Sequence, residues 1–195
     1  MATYKKNLFQ NQRVNTMKNS LLDTAPSLDE PLEMLEACHD RIEAQLKTLE
    51  RLLRHLPEHG TDLQARQAAQ GILRYFDSAG PHHHEDEEDN LFPLLISRSG
   101  KAPTVCTLVQ DLLADHVLMA EALAKVRGQL LLIVAEKSAA LDENAVRLLA
   151  TRYRKHIEKE NAELLPLSKR LLLQEDILFL SKAMTARRTQ SHQSR

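Results

Sequence analysis

The sequence predicts an all-α protein, an up-down-up-down four-helix bundle with a short extra helix at its C-terminal end. Composition is the first reason: aromatic residues make up 4% of the chain, and the 195 residues include only five glycines and no tryptophan. The abundant residues are helix formers such as Leu, Ala, Glu and Lys, whereas a sheet would draw on β-branched and aromatic residues. The apolar residues also follow the helical period, and they do so in two matching halves.

The chain length indicates one domain with a single buried core. We expect the bundle to span residues 27–184, between an N-terminal extension over 1–26 and a polar, disordered tail over 185–195. The start of the chain has no acidic residue before Asp23 and lacks the apolar segment of a secretory signal. It is therefore predicted to be a disordered or loosely packed extension, with a weak organelle-targeting peptide as the alternative.

Charge and cysteine content indicate which binding partners and which cellular compartment to expect. A formal net charge of -1 and a pI near 6.8 give no electrostatic reason to bind nucleic acid. The most apolar run, residues 130–135, is too short to span a membrane. Cys38 and Cys106 stand in unrelated contexts, which indicates reduced thiols in a cytoplasmic protein.

Breaking and capping residues divide the bundle into helices. Pro57 and Gly60 end the first helix, and Asp142 caps the fourth. Gly80 and Pro81 should kink the second helix, because proline lacks an amide donor and disfavours helix at the preceding residue. These signals predict five helices, over about residues 27–56, 62–97, 103–137, 143–165 and 174–184.

A lone histidine lies on the apolar stripe of the first and the third helix. Apolar residues follow His39 at offsets of 3, 7, 10 and 14 residues, and they follow His116 at the same four offsets. Residues with this spacing share one helix face. Both imidazoles are therefore predicted to point into the bundle.

The second and fourth helices share another motif, in which a glutamate follows a histidine by four residues. The two copies are His83 with Glu87 and His156 with Glu160. Positions i and i+4 lie on one face, so each copy presents an imidazole and a carboxylate in the same direction. An LxPL segment begins eight residues after each of these histidines. Two matching αα-hairpins would bring all of these polar groups to one level of the core.

Six inward ionisable side chains indicate a metal site. A single buried histidine is usually a hydrogen-bonded core residue, and a lone HxxxE pair is usually a solvated ion pair. Six together would each cost on the order of a few kcal/mol if desolvated without a partner. The set exceeds the four ligands of tetrahedral zinc, so the simplest count is two metal ions bridged by Glu87 and Glu160. Imidazole and carboxylate donors suit Fe, Mn, Zn or Co.

The chain resembles the hemerythrin-like, or HHE cation-binding, domain family over roughly residues 29–172. The resemblance rests on His39, on His83 with the acidic run after it, on His116 after Asp115, and on residues 156–166. It implies a four-helix bundle that holds a non-haem, oxo- or hydroxo-bridged di-iron centre and meets O2, NO or peroxide. By position, it assigns six metal ligands: His39, His83, Glu87, His116, His156 and Glu160.

Four further residues are candidates around these six, two histidines by the same resemblance and two residues by their place next to the ligands. His84 lies where iron-sensing members have an additional carboxylate ligand, with a solvent-facing histidine as the alternative. His59 lies near the end of the first helix, where di-iron repair members supply another histidine, with a surface histidine as the alternative. Tyr153 is a candidate neighbour of the ligands or a buried ring. Glu88 either orients an imidazole N–H or belongs to the solvated face.

The sequence therefore predicts a cytoplasmic di-iron protein that binds O2, NO or peroxide for sensing, protection or iron handling. The oxygen carriers of the family have a second histidine where this chain has Ala120, which disfavours stoichiometric O2 transport. Two alternatives stay open: a di-iron oxidase that reduces peroxide or NO, and a metal-free helical interaction bundle. Loading with zinc or manganese also stays open. Neither nucleic acid nor a membrane is an expected partner.

Overall fold

The computed structural model describes residues 29–193, and all regular secondary structure in this range is helical. The predicted extension over residues 1–26 lies outside the described residues. In chain order the elements are α1 (Pro31–His59), α2 (Leu63–Phe76), α3 (Ala79–Asp86), the π-helical turn π1 (Glu87–Leu91), α4 (Phe92–Arg98), α5 (Pro103–Val134), α6 (Glu143–Lys159), the π-helical turn π2 (Glu160–Leu164), α7 (Leu165–Leu171) and α8 (Gln174–Gln193).

These elements form four long helical segments, here called rods, that pack as a ring. The C-terminal helix α8 packs against the outside of this bundle as a fifth segment. One rod is α1, the second runs from α2 to α4, the third is α5, and the fourth runs from α6 to α7. Both α1 and α5 pack against α2 and against α6, so rods that follow one another in the chain are neighbours in space. Short connections between such neighbours make them antiparallel. The predicted four-helix bundle with an additional C-terminal helix is confirmed.

The ends of the helices follow from local chemistry. The Asp62 side chain accepts a hydrogen bond from the Ala65 amide at 2.7 Å and so caps α2, and Asp142 caps α6 in the same way. Gly60, with φ of 62°, ends α1 three residues after Pro57. Between α2 and α3 the break falls at residues 77–78, earlier than the predicted kink. Pro81 lies in the first turn of α3, where a missing N–H needs no partner.

The core consists of two apolar clusters with a polar layer between them. One cluster joins α1, α2, α5 and α6, and the other joins the start of α1 with α4, the start of α5, α7 and α8. On α1, His39 lies between Leu35 of the second cluster and Ile42 of the first. His116 occupies the same place on α5. Apolar packing on both sides therefore fixes the depth of the polar layer.

The C-terminal helix is longer than predicted. It continues to Gln193, where the sequence indicated an end at residue 184 and a disordered tail from 185. Leu180 and Met184 pack into the second apolar cluster, and Arg187 and Arg188 bind the buried Asp86. The sequence predicted an exposed tail because the tail is basic, and its acidic partner Asp86 lies about a hundred residues earlier in the chain.

None of the helices within residues 29–193 has both the length and the apolarity needed to cross a bilayer.

Candidate metal centre

The six predicted ligands meet in the polar layer between the two apolar clusters. Each of their side chains is at most 5% exposed. All four rods contribute: His39 from α1, His83 from α3, Glu87 from π1, His116 from α5, His156 from α6 and Glu160 from π2.

These side chains form two groups that share both carboxylates. The first group is His39 and His83 with the two glutamates, and the second is His116 and His156 with the same two glutamates. Within each group, one ligand atom from every residue lies within 4.8 Å of the others. The described residues therefore form two groups that could each hold a cation, with both carboxylates common to the two groups.

The two carboxylates each face both groups. One oxygen of Glu87 lies 3.6 Å from Nε2 of His83 and the other lies 3.6 Å from Nε2 of His116. The oxygens of Glu160 lie 3.1 Å from Nε2 of His39 and 3.1 Å from Nε2 of His156. A carboxylate that divides its oxygens in this way is placed to bridge two cations.

Both glutamates begin a π-helical turn. The amide that follows each turn reaches back five residues, from Phe92 to the carbonyl of Glu87 and from Leu165 to that of Glu160. A proline comes next in both rods, and its ring crowds the carbonyl four residues earlier, so a widened turn relieves this contact. The two LxPL segments of the sequence therefore mark the two π-helical turns next to the site. Such turns are frequent at functional sites.

Eight buried nitrogen and oxygen atoms of these ligands have no hydrogen-bond partner among the described residues. They include all four oxygens of Glu87 and Glu160, and Nε2 of His39 and His83. The oxygens of Glu160 lie 3.1 Å from His39 and 3.1 Å from His156, but neither contact is a hydrogen bond in this arrangement. Buried polar atoms without partners are rare, because each costs about 1–3 kcal/mol. Cations between the two groups would satisfy six of the eight atoms, all except Nδ1 of His83 and Nδ1 of His156, which is the structural reason to assign a metal here.

Two side chains fix the orientation of the lone histidines. Nδ1 of His39 lies 2.8 Å from Oδ1 of Asn161, and Nδ1 of His116 lies 2.5 Å from Oε1 of Glu88. Since both acceptors are oxygens, each Nδ1 carries the proton and each Nε2 turns a lone pair to the site. Glu88 was a predicted candidate for this role. Asn161 was missed, although it follows Glu160 as Glu88 follows Glu87.

Burial keeps most of the imidazoles neutral. It lowers the pKa of His83 well below its usual value, that of His84 to about 3 and that of His116 to about 4. At His39 burial acts in the same direction, but contact with Glu160 outweighs it and raises the pKa. A neutral imidazole is the form that binds metal. Three of these side chains are therefore ready to act as ligands at pH 7.

The surroundings shift the pKa values of the two buried carboxyl groups in opposite directions. Burial, followed by the charge of Glu160, raises the pKa of Glu87 well above its usual value. Burial also acts to raise the pKa of Glu160, but contacts with His156 and His39 outweigh it and lower that pKa. Without a cation, the proton of the pair is thus held by Glu87. A cation would take its place, as metal binding commonly releases protons from ligands.

The structure separates the remaining candidates. The ring of His84 stacks on that of His116 with centroids 4.0 Å apart, and His84 forms a third possible ligand group with His116 and His156. The buried ring of Tyr153 lies parallel to that of His84, with centroids 6.5 Å apart. By contrast, His59 is in the last turn of α1, 53% exposed. Twenty residues separate it from His39, which is ~30 Å along the helix axis. It does not join the cluster.

Ion pairs hold the rods together on both sides of the ligands. Asp86, 1% exposed, accepts from Arg187 and from Arg188, the latter at 2.7 Å. On the other side Lys159 lies 2.7 Å from Asp115. Asp86 does not lie on a solvated face, because α8 covers this residue. Neither arginine was identified from the sequence.

Comparison with known proteins agrees with this geometry. A family model described as the hemerythrin HHE cation binding domain matches residues 30–168. An uncharacterised protein of Haemophilus influenzae is 30% identical over 160 residues, which cover 82% of this chain and 91% of that protein. The predicted resemblance is confirmed, and the chain belongs to the hemerythrin HHE cation-binding domain family.

Proposed function

We propose that this chain is a non-haem di-iron protein that binds O2, NO or peroxide at its metal centre, for sensing, protection or iron handling. The observation that carries the proposal is the division of the Glu87 and Glu160 oxygens between two histidine pairs. Four imidazoles and two carboxylates form a borderline-to-hard donor set that suits iron. Manganese and zinc are the competing metals, although a bridged set of six ligands exceeds what one tetrahedral zinc uses.

The residues of the chain prepare the site for such a pair of metals. Iron, when bound, supplies redox chemistry toward a small ligand. The two apolar clusters keep bulk water from the polar layer, since the ligands between them are almost fully buried. His39 and His116 are held by their Nδ1 hydrogen bonds, and the proton of Glu87 is the one that a cation replaces. The side chains of the polar layer are thus already oriented to bind cations, which would give partners to buried ligand atoms that have none among the described residues.

Iron loading tests the proposal. Protein purified without metal, then incubated with Fe²⁺ under anaerobic conditions, should hold close to two iron atoms per chain, one for each ligand group. Its absorption spectrum should change on exposure to air, NO or hydrogen peroxide. His116→Ala should lose one of the two iron atoms, whereas His59→Ala should keep both, because His59 lies outside the cluster. A chain that takes up no iron and whose stability is insensitive to chelators would contradict the proposal.

The same preparation separates the two alternatives. Many turnovers of peroxide or NO per chain would make the protein a di-iron oxidase rather than a binding protein. A metal-free interaction bundle would have to keep eight buried ligand atoms without partners, which makes this alternative the less favourable one.

We also propose that the protein works in the cytoplasm. Cys38, which is buried, and Cys106 are both free thiols. Free thiols are typical of reducing compartments. Fractionation of the native cells, with the protein found in the membrane or an oxidising compartment, would contradict this assignment.

A further inference from the structure

We propose that Glu88 and Asn161 are positioning residues that make the two cation positions unequal, so that the position at His116 and His156 binds the first cation. The inference rests on the proposed metal centre and adds an order of occupation to it. It follows from the chemical difference between the two hydrogen-bond acceptors that hold the lone histidines.

The two acceptors occupy matching places in the two halves of the chain. Each directly follows a shared glutamate, at the second position of a π-helical turn. Each also crosses to the other half: Glu88 of the first half binds His116, and Asn161 of the second half binds His39. The repeat therefore provides one acceptor for each lone histidine, and only the chemistry of the acceptor differs.

That chemistry affects how strongly each imidazole donates to a metal. A carboxylate that accepts from Nδ1–H raises the basicity of the opposite nitrogen, Nε2, more than a neutral amide does. Charge-assisted hydrogen bonds are also shorter, in line with 2.5 Å at His116 and 2.8 Å at His39. The hydrogen bond to Glu88 therefore strengthens donation from Nε2 of His116 more than the hydrogen bond to Asn161 strengthens donation from Nε2 of His39.

Both positioning residues reach the site from the surface. The Glu88 side chain is 40% exposed and Asn161 is an exposed residue, so only their oxygen tips enter the polar layer. Substitution at either place removes or changes one hydrogen bond and leaves the packing of both apolar clusters intact. Effects on metal affinity are thus separable from effects on folding.

Titration with Co²⁺, followed by visible absorption and by calorimetry, tests the order of occupation. The full chain should bind two Co²⁺ ions in two unequal steps. Glu88→Gln should weaken the first step by about 10- to 100-fold, the usual consequence of losing an outer partner of a metal-bound histidine. Asn161→Asp should strengthen the second step by about 10-fold and bring the two steps together. A gain of affinity cannot arise from misfolding, so this variant keeps the test decisive.

Matched substitutions elsewhere control for charge alone. Glu163→Gln, at an exposed position in the same π-helical turn as Asn161, and Asn144→Asp, in the first turn of α6, should leave both steps unchanged. Two binding steps that respond to Glu88→Gln and Asn161→Asp no more than to these controls would overturn the inference and leave the metal centre in place. A chain that binds no Co²⁺ and no iron would overturn the metal centre, and the inference with it.

Discussion

The two halves of the chain contribute matching residues to the polar layer, but different ion pairs support these residues. In both halves a histidine, a glutamate four residues later, a π-helical turn and a proline follow in the same order. The residue before the glutamate is Asp86 in the first half and Lys159 in the second. Asp86 is buried and binds two arginines of α8, whereas Lys159 is partly exposed and binds Asp115 of α5. Each half therefore has an ion pair at this position, but the residue before the glutamate is the acidic partner in the first half and the basic partner in the second.

This difference separates the features that the proposed metal centre would require from those that the fold supplies. In the proposed centre the ligand positions have to match, because two cations would share the same pair of carboxylates. The supporting pairs only need to hold each rod in place, so each half uses the partner that its neighbouring helix offers. The first half depends on the C-terminal helix, and the second depends on a helix of the bundle itself.

The largest expected effect is the loss of both cations from one substitution. Glu160→Ala should abolish binding at both positions, because Glu160 belongs to both ligand groups, whereas His39→Ala should abolish binding at one. Metal analysis of loaded, desalted protein should give about zero and about one ion per chain. Glu158→Ala, an exposed neighbour in the same rod, is the control and should keep two. Equal losses in Glu160→Ala and His39→Ala would contradict the sharing of carboxylates.

The next effect distinguishes the two supporting ion pairs. Replacing Arg187 and Arg188 by alanine leaves Asp86 buried without a partner, which should lower the free energy of unfolding by about 3–5 kcal/mol. Lys159→Ala should lower it by no more than about 1 kcal/mol, since that pair is about one-third exposed. Urea denaturation of metal-free protein measures both, with the exposed Lys182→Ala as the control in α8. Similar losses in the two halves would mean that α8 does not support the site.

Acid should destabilise the metal-free protein between pH 6.5 and 4.5. In this window the unfolded chain gains protons at His83, His84 and His116, whose pKa values are lowered in the fold. Glu87 opposes them, because its raised pKa lets the folded chain hold a proton that the unfolded chain has lost. The raised pKa of His39 also opposes them in the upper part of the window, because the folded chain binds that proton before the unfolded chain does. These two groups reduce the effect of the three histidines, and the free energy of unfolding should fall by about 2 kcal/mol between pH 6 and 5.

Urea denaturation at a series of pH values, with chelator present, checks this slope. His84→Gln should reduce the slope, because it removes one of the three histidines. Stability that stays constant or rises as the pH falls through this window would show that these imidazoles are not held neutral in the fold.

The smallest effect concerns the caps that start the two rods that carry the HxxxE pairs. Asp62 caps α2 and Asp142 caps α6, so alanine at either position should lower the free energy of unfolding by about 1 kcal/mol. Neither substitution should change the number of bound cations. Serine, which also caps helices, should restore most of the loss, and failure of serine to do so would assign the effect to something other than the cap.

The sequence predicted that these six side chains face the core, because helical periodicity determines which side chains of a helix share its buried face. His39 and His116 lie on apolar stripes, and the HxxxE copies share one face, so their convergence required no knowledge of tertiary structure. Glu88 was identified by its place beside a ligand. Asn161 has the same place in the second copy, and aligning the two copies beyond the glutamates would have found it.

Other features depended on contacts between distant parts of the chain. The helix beyond residue 184 is held by Arg187 and Arg188 on Asp86, and nothing near residue 187 in the sequence reveals that acid. His59 was a candidate because of its place in the family pattern, but it lies on the same helix as His39 and too far along it to return to the site. The prolines of the LxPL segments were noted without the π-helical turns that precede them.

The most direct test of the two-cation centre is a crystal of iron-loaded protein measured on both sides of the iron absorption edge. The structure predicts two anomalous peaks in the polar layer, one beside His39 and His83 and the other beside His116 and His156, with Glu87 and Glu160 in contact with both. A single peak, peaks elsewhere, or imidazoles that turn away from an iron-free interior would contradict it.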